Sequence, residues 1–475
     1  MKRLKSDLIS LFVIMLSVIL LFPIFSFAEE DYMEQAEQRK KIPIESNLID
    51  NWPAGPEIGA ESAILIEANT GIVLYEKNIH EKLYPASITK ILTALVAYDN
   101  SDMNDMVTFS YDAVNSIDWR YDANMGINAK SSITMEETLY GMLVGSANEA
   151  AYAIAEHVSG DGKLDDFAKL MNEKAVSLGC TDSNFVTPNG IHNDNHYTSA
   201  HDMACIARAF FSNDFLSNIS CTPSYHFKKT DTQPKEDMAV YAKSKLFPGK
   251  EYAYEGLVGT KTGYTDKARQ TLVSCAERDG MKLICVVLKE EAPYQYTDTI
   301  DLFNYGFSNF TIEYIADKDS RFKITSSNLF NTDVDVFGSN QPILEISPES
   351  YIVLPTGSTL DQTDCKIEYN DLAENEIARI DYYYSGIFIG SAPVVSTKEQ
   401  TMTYDFDGTT SEVETNYVFL NITTIIGFLI GFAIVLVIIF HIFSIFRHSR
   451  KKSKKSTPNQ KYKYKNKELK WKHLK

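Results

Sequence analysis

Lys261-Thr262-Gly263 follows two other short polar patterns along the chain, Ser87-Ile88-Thr89-Lys90 and Ser146-Ala147-Asn148. Each pattern is short enough to arise by chance, and Ser-x-x-Lys occurs again from Ser320 to Lys323. In this order, however, the three supply a serine nucleophile, lysines that can serve as base or anion contact, and a glycine that permits close approach of backbones. Their combination predicts a serine acyl-transfer site.

Ser87 stands where a helix is expected to begin, because Pro85 and Ala86 precede it and the following apolar residues recur at helical spacing. Free backbone amides and the positive end of the helix dipole at such a start favour a developing oxyanion. Lys90 falls one turn later on the same face, and it can act as the base if burial near a second cation, Lys261, lowers its pKa. The alternative is a helix-capping serine followed by an ordinary surface lysine.

Ser146 and Asn148 fall in the break after Gly145, between two predicted helices, where short polar side chains can project into a cleft. The residues from Ser146 to Glu149 also fit a capping box, so the serine could simply start the next helix. The two interpretations are compatible if Ser146 both caps the helix and relays a proton.

Lys261-Thr262-Gly263 lies in a predicted edge strand, along which an extended peptide could pair. Lysine and threonine offer a positive charge and a donor for a terminal carboxylate, and Gly263 removes the side chain that would block close approach of a substrate backbone. The alternative is a plain strand with a glycine bulge. The functional interpretation would be wrong only if the purely structural alternatives applied to all three motifs at once, which favours a functional site.

The remaining pattern predicts one sheet covered by helices. Apolar runs flank Asn69-Thr70-Gly71 as a hairpin, residues 272–276 and 282–288 form a second strand pair, and helical spacing dominates between them. This α/β (α+β) catalytic domain is expected to span residues 59–310. Residues 311–410 contain short β-rich runs without a convincing helix, which predicts a small all-β spacer domain.

Both chain ends are expected to lie outside these domains. Residues 1–28 combine basic residues, an apolar run and the Ser26-Phe27-Ala28 signature of a secretory signal peptide, with an uncleaved anchor as the alternative. Residues 29–58 are polar and are interpreted as a linker. Residues 418–446 are long and apolar enough for a transmembrane helix, and the basic residues 447–475 predict a cytoplasmic tail, with everything before the span outside the cell.

The formal net charge of −17 hides a strong partition along the chain. Residues 1–28 carry +2 and residues 447–475 carry +12, which leaves −31 for residues 29–446. A strongly acidic exported part argues against nucleic acid as a partner, because binding phosphates requires a basic surface. Beside a membrane span, the basic tail is expected to contact anionic lipid headgroups.

Other catalytic patterns fit the chain less well. His192, His196 and His201 cluster near two aspartates, but their spacing matches none of the usual zinc-hydrolase patterns. Loop polarity and helix capping by Ser199 with Asp202 are the preferred interpretation. No Cys-x-x-Cys pair and no Gly-x-Ser-x-Gly nucleophile elbow occur. The sequence therefore predicts no metal site.

These residues resemble those of the low-molecular-weight penicillin-binding proteins that act as serine-type D-alanyl-D-alanine carboxypeptidases, peptidase family S11. The resemblance covers roughly residues 59–400 and includes Tyr84-Pro85-Ala86-Ser87, the segment from Asn184 to Gly190 and the segment from Tyr197 to Arg208. It implies a penicillin-binding transpeptidase-like and β-lactamase-like fold, an all-β domain and carboxy-terminal membrane attachment. The full hydrophobic span departs from the amphipathic surface helix of commoner members.

The resemblance also implies a reaction. Ser87 would attack the terminal D-Ala-D-Ala bond of a peptidoglycan stem pentapeptide, with Lys90 as general base. Water would then hydrolyse the acyl-enzyme, β-lactams would act as covalent inhibitors, and neither a metal nor an organic cofactor would be needed. Cell wall remodelling at the outer face of a bacterial cell membrane is the expected role.

The other motif residues receive binding roles from the same resemblance. Ser146 would relay the proton and Asn148 would orient substrate, while Lys261 and Thr262 would hold the carboxylate. The backbone amide of Tyr264, together with that of the nucleophile, would form the oxyanion hole.

Three other functions are alternatives to this one. A β-lactamase of class A usually carries aspartate where Ala147 stands, and no convincing glutamate loop for deacylation is found. A DD-endopeptidase that cuts cross-links stays open, as does a non-catalytic β-lactam-sensing or wall-binding membrane protein. Intact Ser87, Lys90 and Lys261 argue against the non-catalytic alternative. Lys267-Ala268-Arg269 adds two charges close behind the site, and their role is left open.

Overall fold

The computed structural model describes residues 32–396 except residues 161, 317, 323–343, 371 and 374–375. The main sheet consists of five antiparallel strands, β1 (Ser62–Glu67), β2 (Val73–Lys77), β7 (Leu257–Thr265), β8 (Arg269–Arg278) and β9 (Met281–Glu290). Their spatial order is β2-β1-β9-β8-β7. The hairpin and the second strand pair are therefore confirmed, and β7, which carries the third motif, lies at an edge of the sheet as predicted.

Helices flank the sheet. Their bounds are α1 (Tyr32–Arg39), α2 (Lys90–Asn100), α3 (Tyr111–Asn115), α4 (Met135–Leu143), α5 (Asn148–Ser159), α6 (Leu164–Ser177), α7 (Ala200–Phe211), α8 (Asp214–Ser220) and α9 (Tyr294–Asn309). Capping explains two of these starts: Thr134 and Glu137 form a capping box at α4, and the Ser199 side chain accepts from the Asp202 amide at α7. Short strand pairs join them, β3 (Met106–Thr108) with β4 (Ser132–Thr134) and β5 (Ser224–His226) with β6 (Ala239–Tyr241).

The sheet is buried on both faces. Successive residues of a strand point to opposite faces, so neighbouring residues join different cores. In β1, Ile64 and Ile66 join one apolar core with α2, α5 and α7, while Ala63 and Leu65 join a second core with α9. Every residue of α2 from Lys90 to Ala97 is buried. A helix that is apolar nearly all round lies in the interior, so its first residue, Lys90, is carried into the core.

The strands that follow α9 are β10 (Phe310–Tyr314), β11 (Leu344–Ile346), β12 (Tyr351–Pro355), β13 (Asp364–Glu368), β14 (Glu376–Tyr384) and β15 (Ile387–Ser396). β10 pairs with β12, and the others form a sheet in the order β11-β15-β14-β13. Ile352 and Ile380 belong to the second core, so these strands and the main sheet share one compact unit. A division into separate domains at residue 310 stays a prediction.

The segment interpreted as a linker, residues 29–58, is folded where it is described. It contains α1, whose Arg39 is buried and donates a 3.2 Å hydrogen bond to the Gly59 carbonyl. Trp52 is also buried, and its indole N–H donates to the Leu74 carbonyl at 2.9 Å. The expectation that the fold starts near Gly59 is therefore wrong, because polar composition hides contacts whose partners lie in distant strands.

Residues 1–28, 418–446 and 447–475 lie outside the described residues. The signal peptide, the transmembrane helix and the basic tail therefore stay predictions. Within the described part of the chain, no helix is both long enough and apolar enough to cross a membrane.

Candidate active site

Ser87 lies in a 3₁₀ turn, Ala86–Thr89, that leads directly into α2. Ala86 has a φ of 52°, in the left-handed region that L-residues rarely adopt. Gly190 makes room for this turn, since a Cβ there would lie 1.9 Å from the Ala86 carbonyl oxygen. The residue that caps α2 is Thr89, not Ser87, and it makes no side-chain cap bond. The Ser87 hydroxyl is thus not committed to capping.

Lys90 is fully buried, so the interpretation as a surface lysine is wrong. Its Nζ lies 2.8 Å from Ser87 Oγ, 2.7 Å from Asn148 Oδ1 and 2.7 Å from the Asn189 carbonyl oxygen. Burial, and then the charge of Lys261, holds the pKa of Lys90 well below its usual value. The two carbonyl-type oxygens can only accept, so a neutral amine gives them its two hydrogens and keeps its lone pair for the hydroxyl proton. Lys90 can therefore deprotonate Ser87.

Ser146 lies between α4 and α5 with a φ of 60°. The residue that caps α5 is Ala147, and no side chain caps the helix. The expectation that Ser146 caps the next helix is therefore wrong. Its hydroxyl is buried and accepts a 2.9 Å hydrogen bond from Lys261 Nζ, a contact that spans 115 residues of chain.

Lys261 reaches the same cluster from β7. Its Nζ also donates to the Thr262 carbonyl at 2.8 Å. Burial, and then the nearby charge of Lys243, lowers the pKa of Lys261 to about 7. Close to neutral pH Lys261 can therefore supply a proton to Ser146 as the hydroxyl gives up its own, and later regain one. Thr262 is half-buried beside it, and Tyr264 is exposed at the rim of the sheet.

Gly263 is where β7 meets the nucleophile turn. A Cβ at this position would lie 2.3 Å from Thr271 Oγ1, 2.9 Å from the Ser87 amide nitrogen and 3.0 Å from the Pro85 carbonyl oxygen. Thr271 also donates to the Pro85 carbonyl at 2.8 Å, which ties β8 to the same turn. The strand register runs unbroken through Gly263, so the glycine-bulge interpretation is wrong. Glycine is required here by the turn of the protein itself.

A histidine that was predicted to be only part of a polar loop holds this arrangement together. His196 is buried, and its Nδ1 accepts the backbone amides of Val186 at 2.9 Å and Thr187 at 3.2 Å. Nε2 therefore carries the hydrogen and donates to Thr89 Oγ1 at 2.8 Å. Burial lowers the pKa of His196 to about 3, so the ring is neutral. It fastens the loop that supplies the Asn189 carbonyl to the nucleophile turn.

The three histidines do not form a site together. His201 Nδ1 lies 3.0 Å from Asp202, His192 bonds an aspartate of its own loop, and His196 is enclosed as described. Among the residues that the structure describes, no group of three or more histidine, cysteine, aspartate or glutamate side chains could hold a metal ion.

Arg269, one of the two charges behind the third motif, belongs to a chain of contacts that the sequence did not reveal. It has a φ of 53°, and its guanidinium donates to Glu291 at 2.7 Å and to the Tyr264 hydroxyl at 3.4 Å. The same guanidinium lies 3.7 Å from the ring centre of Tyr32 in α1, and Arg39 donates to Glu291 at 3.1 Å. The amino-terminal helix therefore borders the rim of the site.

A family profile described as D-alanyl-D-alanine carboxypeptidase, peptidase S11, matches residues 50–292, which include all three motifs. The chain belongs to this family. It is a serine-type D-alanyl-D-alanine carboxypeptidase, a hydrolase of the penicillin-binding protein group, as the resemblance of its motifs implied. The match begins after α1, so the helix that borders the rim lies outside the part that defines the family.

Curated relatives carry the same activity in their names. D-alanyl-D-alanine carboxypeptidase DacB2 of Mycobacterium tuberculosis is 32% identical over 270 residues, which cover 54% of this chain and 87% of the relative. D-alanyl-D-alanine carboxypeptidase DacF of Bacillus subtilis is 29% identical over 320 residues, which cover 65% of this chain and 75% of the relative.

Solved structures confirm the predicted penicillin-binding and β-lactamase-like fold. The Streptomyces K15 DD-transpeptidase shares 27% identity with a TM-score of 0.51, over 54% of this chain and all of that one. Penicillin-binding protein 6B of Escherichia coli, at 23% identity, matches with a TM-score of 0.55 over 73% of this chain and 98% of its own, a likeness that concerns the fold alone.

Proposed function

We propose that this carboxypeptidase removes the terminal D-alanine of peptidoglycan stem pentapeptides through an acyl-enzyme on Ser87. Ser87 Oγ forms an ester with the carbonyl carbon of the penultimate D-alanine, the peptide C–N bond breaks, and the terminal D-alanine leaves as an amine. Water then hydrolyses the ester and restores the serine hydroxyl. The single observation that carries the proposal is the set of three Lys90 contacts, which orient its lone pair toward the Ser87 hydroxyl.

The first step removes a proton from Ser87 and supplies one to the leaving nitrogen. Lys90 takes the proton of Ser87. Ser146, hydrogen-bonded to Lys261 at 2.9 Å, is the candidate to deliver a proton to the leaving nitrogen, because a lysine with a pKa of about 7 can replenish it. Asn148 is assigned to substrate orientation, and its Oδ1 also accepts from Lys90.

The third motif is assigned to the substrate. Protonated Lys261 and the Thr262 hydroxyl suit the carboxylate of the terminal D-alanine. The backbone amides of Ser87 and Tyr264 are assigned to the oxyanion hole, which the close approach at Gly263 supports by bringing β7 within contact of the Ser87 amide. β-Lactams, which mimic the dipeptide, should acylate Ser87.

The segments outside the catalytic domain extend the proposal to the attachment of the protein at the cell envelope. We infer a signal peptide at residues 1–28, a small all-β spacer domain at residues 311–410, a transmembrane helix at 418–446 and a cytoplasmic tail at 447–475. The charge partition and the four-stranded sheet support this reading. Removal of residues 418–475 should yield a soluble, active enzyme, and an insoluble or inactive product would contradict a purely tethering role.

The test of the proposed reaction is release of free D-alanine from diacetyl-Lys-D-Ala-D-Ala by the purified protein. Ser87→Ala should abolish release, whereas Ser177→Ala, at an exposed serine of α6, is the matched control. Release by the Ser87 variant would refute the assignment. Labelling of Ser87 by a β-lactam without any release would move the function to DD-endopeptidase action or β-lactam sensing.

A further inference from the structure

The turn between β7 and β8 contains an arginine in a backbone conformation that favours glycine. Arg269, the first residue of β8, has a φ of 53°, in the left-handed region. An L-residue with a long side chain is rarely found there, because its Cβ crowds the backbone, whereas glycine has no Cβ. The contacts of the Arg269 side chain must therefore offset the free energy that this conformation costs.

The guanidinium of Arg269 contacts three other side chains, and only 16% of the Arg269 side chain is exposed. It donates to the Glu291 carboxylate at 2.7, 3.0 and 3.2 Å. The guanidinium carbon lies 3.7 Å from the ring centre of Tyr32 and 5.6 Å from that of Tyr264, both within the ~6 Å range of cation–π contacts. One cation thus links α1, which carries Tyr32, to β7, which carries Tyr264.

Tyr264 connects this cluster to the reaction. Its backbone amide is assigned to the oxyanion hole, and the residue before it, Gly263, packs against the Ser87 amide. Tyr264 is 49% exposed and lies on an edge strand, and its hydroxyl accepts from Arg269 at 3.4 Å and donates to Asp266 at 3.0 Å. A half-exposed side chain on an edge strand has fewer packing neighbours than a core residue, so these polar contacts determine its orientation.

Helix α1 is anchored independently of Tyr32. Arg39, at its last turn, is buried, and its guanidinium donates to the Gly59 carbonyl at 3.2 Å and to Glu291 at 3.1 Å. The helix therefore contacts both partners of the Arg269–Glu291 ion pair, one through Tyr32 and one through Arg39. A substitution of Tyr32 leaves the Arg39 anchor in place, so it tests the contact with Arg269 without detaching the helix.

We propose that Tyr32 and Arg269 are positioning residues for the reaction, which keep the backbone amide of Tyr264 directed toward the oxyanion. Arg269 acts through Tyr264, and Tyr32 acts by fixing the guanidinium of Arg269. This inference rests on the proposed function, because that function assigns the Tyr264 amide to the oxyanion hole. An oxyanion contact is made in the transition state, so a misplaced amide lowers kcat and leaves KM nearly unchanged.

The experiment is a double-mutant cycle on the release of D-alanine from diacetyl-Lys-D-Ala-D-Ala. Tyr32→Ala should lower kcat about five-fold and leave KM within about two-fold, as expected for the loss of one cation–π contact. Tyr32→Phe keeps the aromatic ring and should retain the wild-type kcat. Arg269→Gly should lower kcat about ten-fold, and Tyr32→Ala should have no further effect in that variant. Tyr369→Ala, at a tyrosine that is 68% exposed, is the matched control.

The rate of Ser87 acylation by a β-lactam provides a second measurement, because it uses the oxyanion hole but not the release of D-alanine. A wild-type kcat in Tyr32→Ala, an equal loss in Tyr32→Phe, or additive losses in the double variant would overturn the proposal. If Arg269→Gly does not fold, the comparison of the two Tyr32 variants decides alone. If the wild-type protein releases no D-alanine, the proposed function fails, and the same cycle on acylation rates still tests the positioning roles.

Discussion

Two buried lysines of this molecule have neighbours of opposite charge. Lys77, on β2, is fully buried, donates to the Ile58 carbonyl at 2.7 Å, and has a pKa lowered by burial to about 8. The charges of Asp298 and Glu290 act against that decrease. Lys90 is equally buried, but the charge that most affects its pKa is that of a second cation, Lys261. The Lys90 amine also lies within hydrogen-bonding distance of the Ser87 hydroxyl. Burial makes both lysines titratable, and the neighbours decide which one becomes a base.

The carboxylates near Lys77 show the other side of the same physics. Burial raises the pKa of Glu290 to about 9, and a hydrogen bond shared with Asp298 adds to the increase. Asp298 accepts the amides of Gly59 and Ala60 at 3.1 and 3.2 Å. These groups lie on the α9 side of the sheet and stabilise the start of β1. The charges there are paired for folding, whereas the lysines of the active site have no carboxylate in direct contact among the described residues.

The largest expected effect is the difference in acylation rate between variants of the two lysines. Lys90→Met should reduce the rate of acylation by a β-lactam about 10²- to 10⁴-fold, because it removes the general base. Lys77→Met, of similar shape, should leave the rate within about two-fold, since the reaction does not use this side chain. Intact-protein mass spectrometry over time gives both rates. Comparable losses in the two variants would show that burial alone, not the site, explains the role of Lys90.

The next largest effect concerns the stability that the ion pair between α1 and Glu291 provides. Arg39→Gln should lower the free energy of unfolding by about 2 kcal/mol, because it removes buried hydrogen bonds to Glu291 and to the Gly59 carbonyl, while Arg269 still pairs with Glu291. Lys40→Gln, directly after the same helix, is the control: its exposed pair with Glu37 contributes at most about 1 kcal/mol. Urea denaturation measures both. Equal, small changes would mean that α1 is not part of the stable fold.

The sequence predicted the parts of the site that local patterns encode. Helical spacing after Ser87 predicted Lys90 on the same face, and the third motif was correctly predicted to lie in an edge strand. It failed where the contact partner lies far along the chain. Ser146 fits a capping box locally, but its hydroxyl bonds to β7, and the Asn189 carbonyl reaches Lys90 only through the tertiary fold. The interpretation of residues 29–58 as a linker failed for the same reason.

A smaller effect concerns pH. The folded pKa of Glu290 is about 9 and its ordinary value is 4.5, so the folded state binds more protons between those values and stability declines as pH rises through that window. Glu290→Gln keeps a hydrogen-bond donor for Asp298 and cannot ionise. Its melting temperature should therefore fall less than that of the wild type between pH 6 and about 9. Melting temperatures that decline in parallel with pH in the two proteins would contradict a proton shared by Glu290 and Asp298. Scanning calorimetry gives the comparison.

The smallest effect sharpens the assignment of Lys261. Lys243→Gln removes a positive charge that lowers the pKa of Lys261, so that pKa should rise. If protonated Lys261 binds the substrate carboxylate, the alkaline limb of kcat/KM should move upward by about 0.3 pH units, a small change because Lys243 is exposed. An unmoved alkaline limb, with the acidic limb moving upward instead, would mean that the neutral form of Lys261 is the active one.

Catalysis depends most on a neutral Lys90 that activates Ser87, and the rate of β-lactam acylation as a function of pH tests this role directly. Formation of the covalent adduct, followed by intact mass from about pH 5 to 10, should reach its plateau well below the ordinary lysine pKa of 10.5. No adduct should form in Ser87→Ala. A rate that keeps rising through the ordinary lysine range would contradict a neutral Lys90 as the base, and an adduct that forms without Ser87 would contradict Ser87 as the nucleophile.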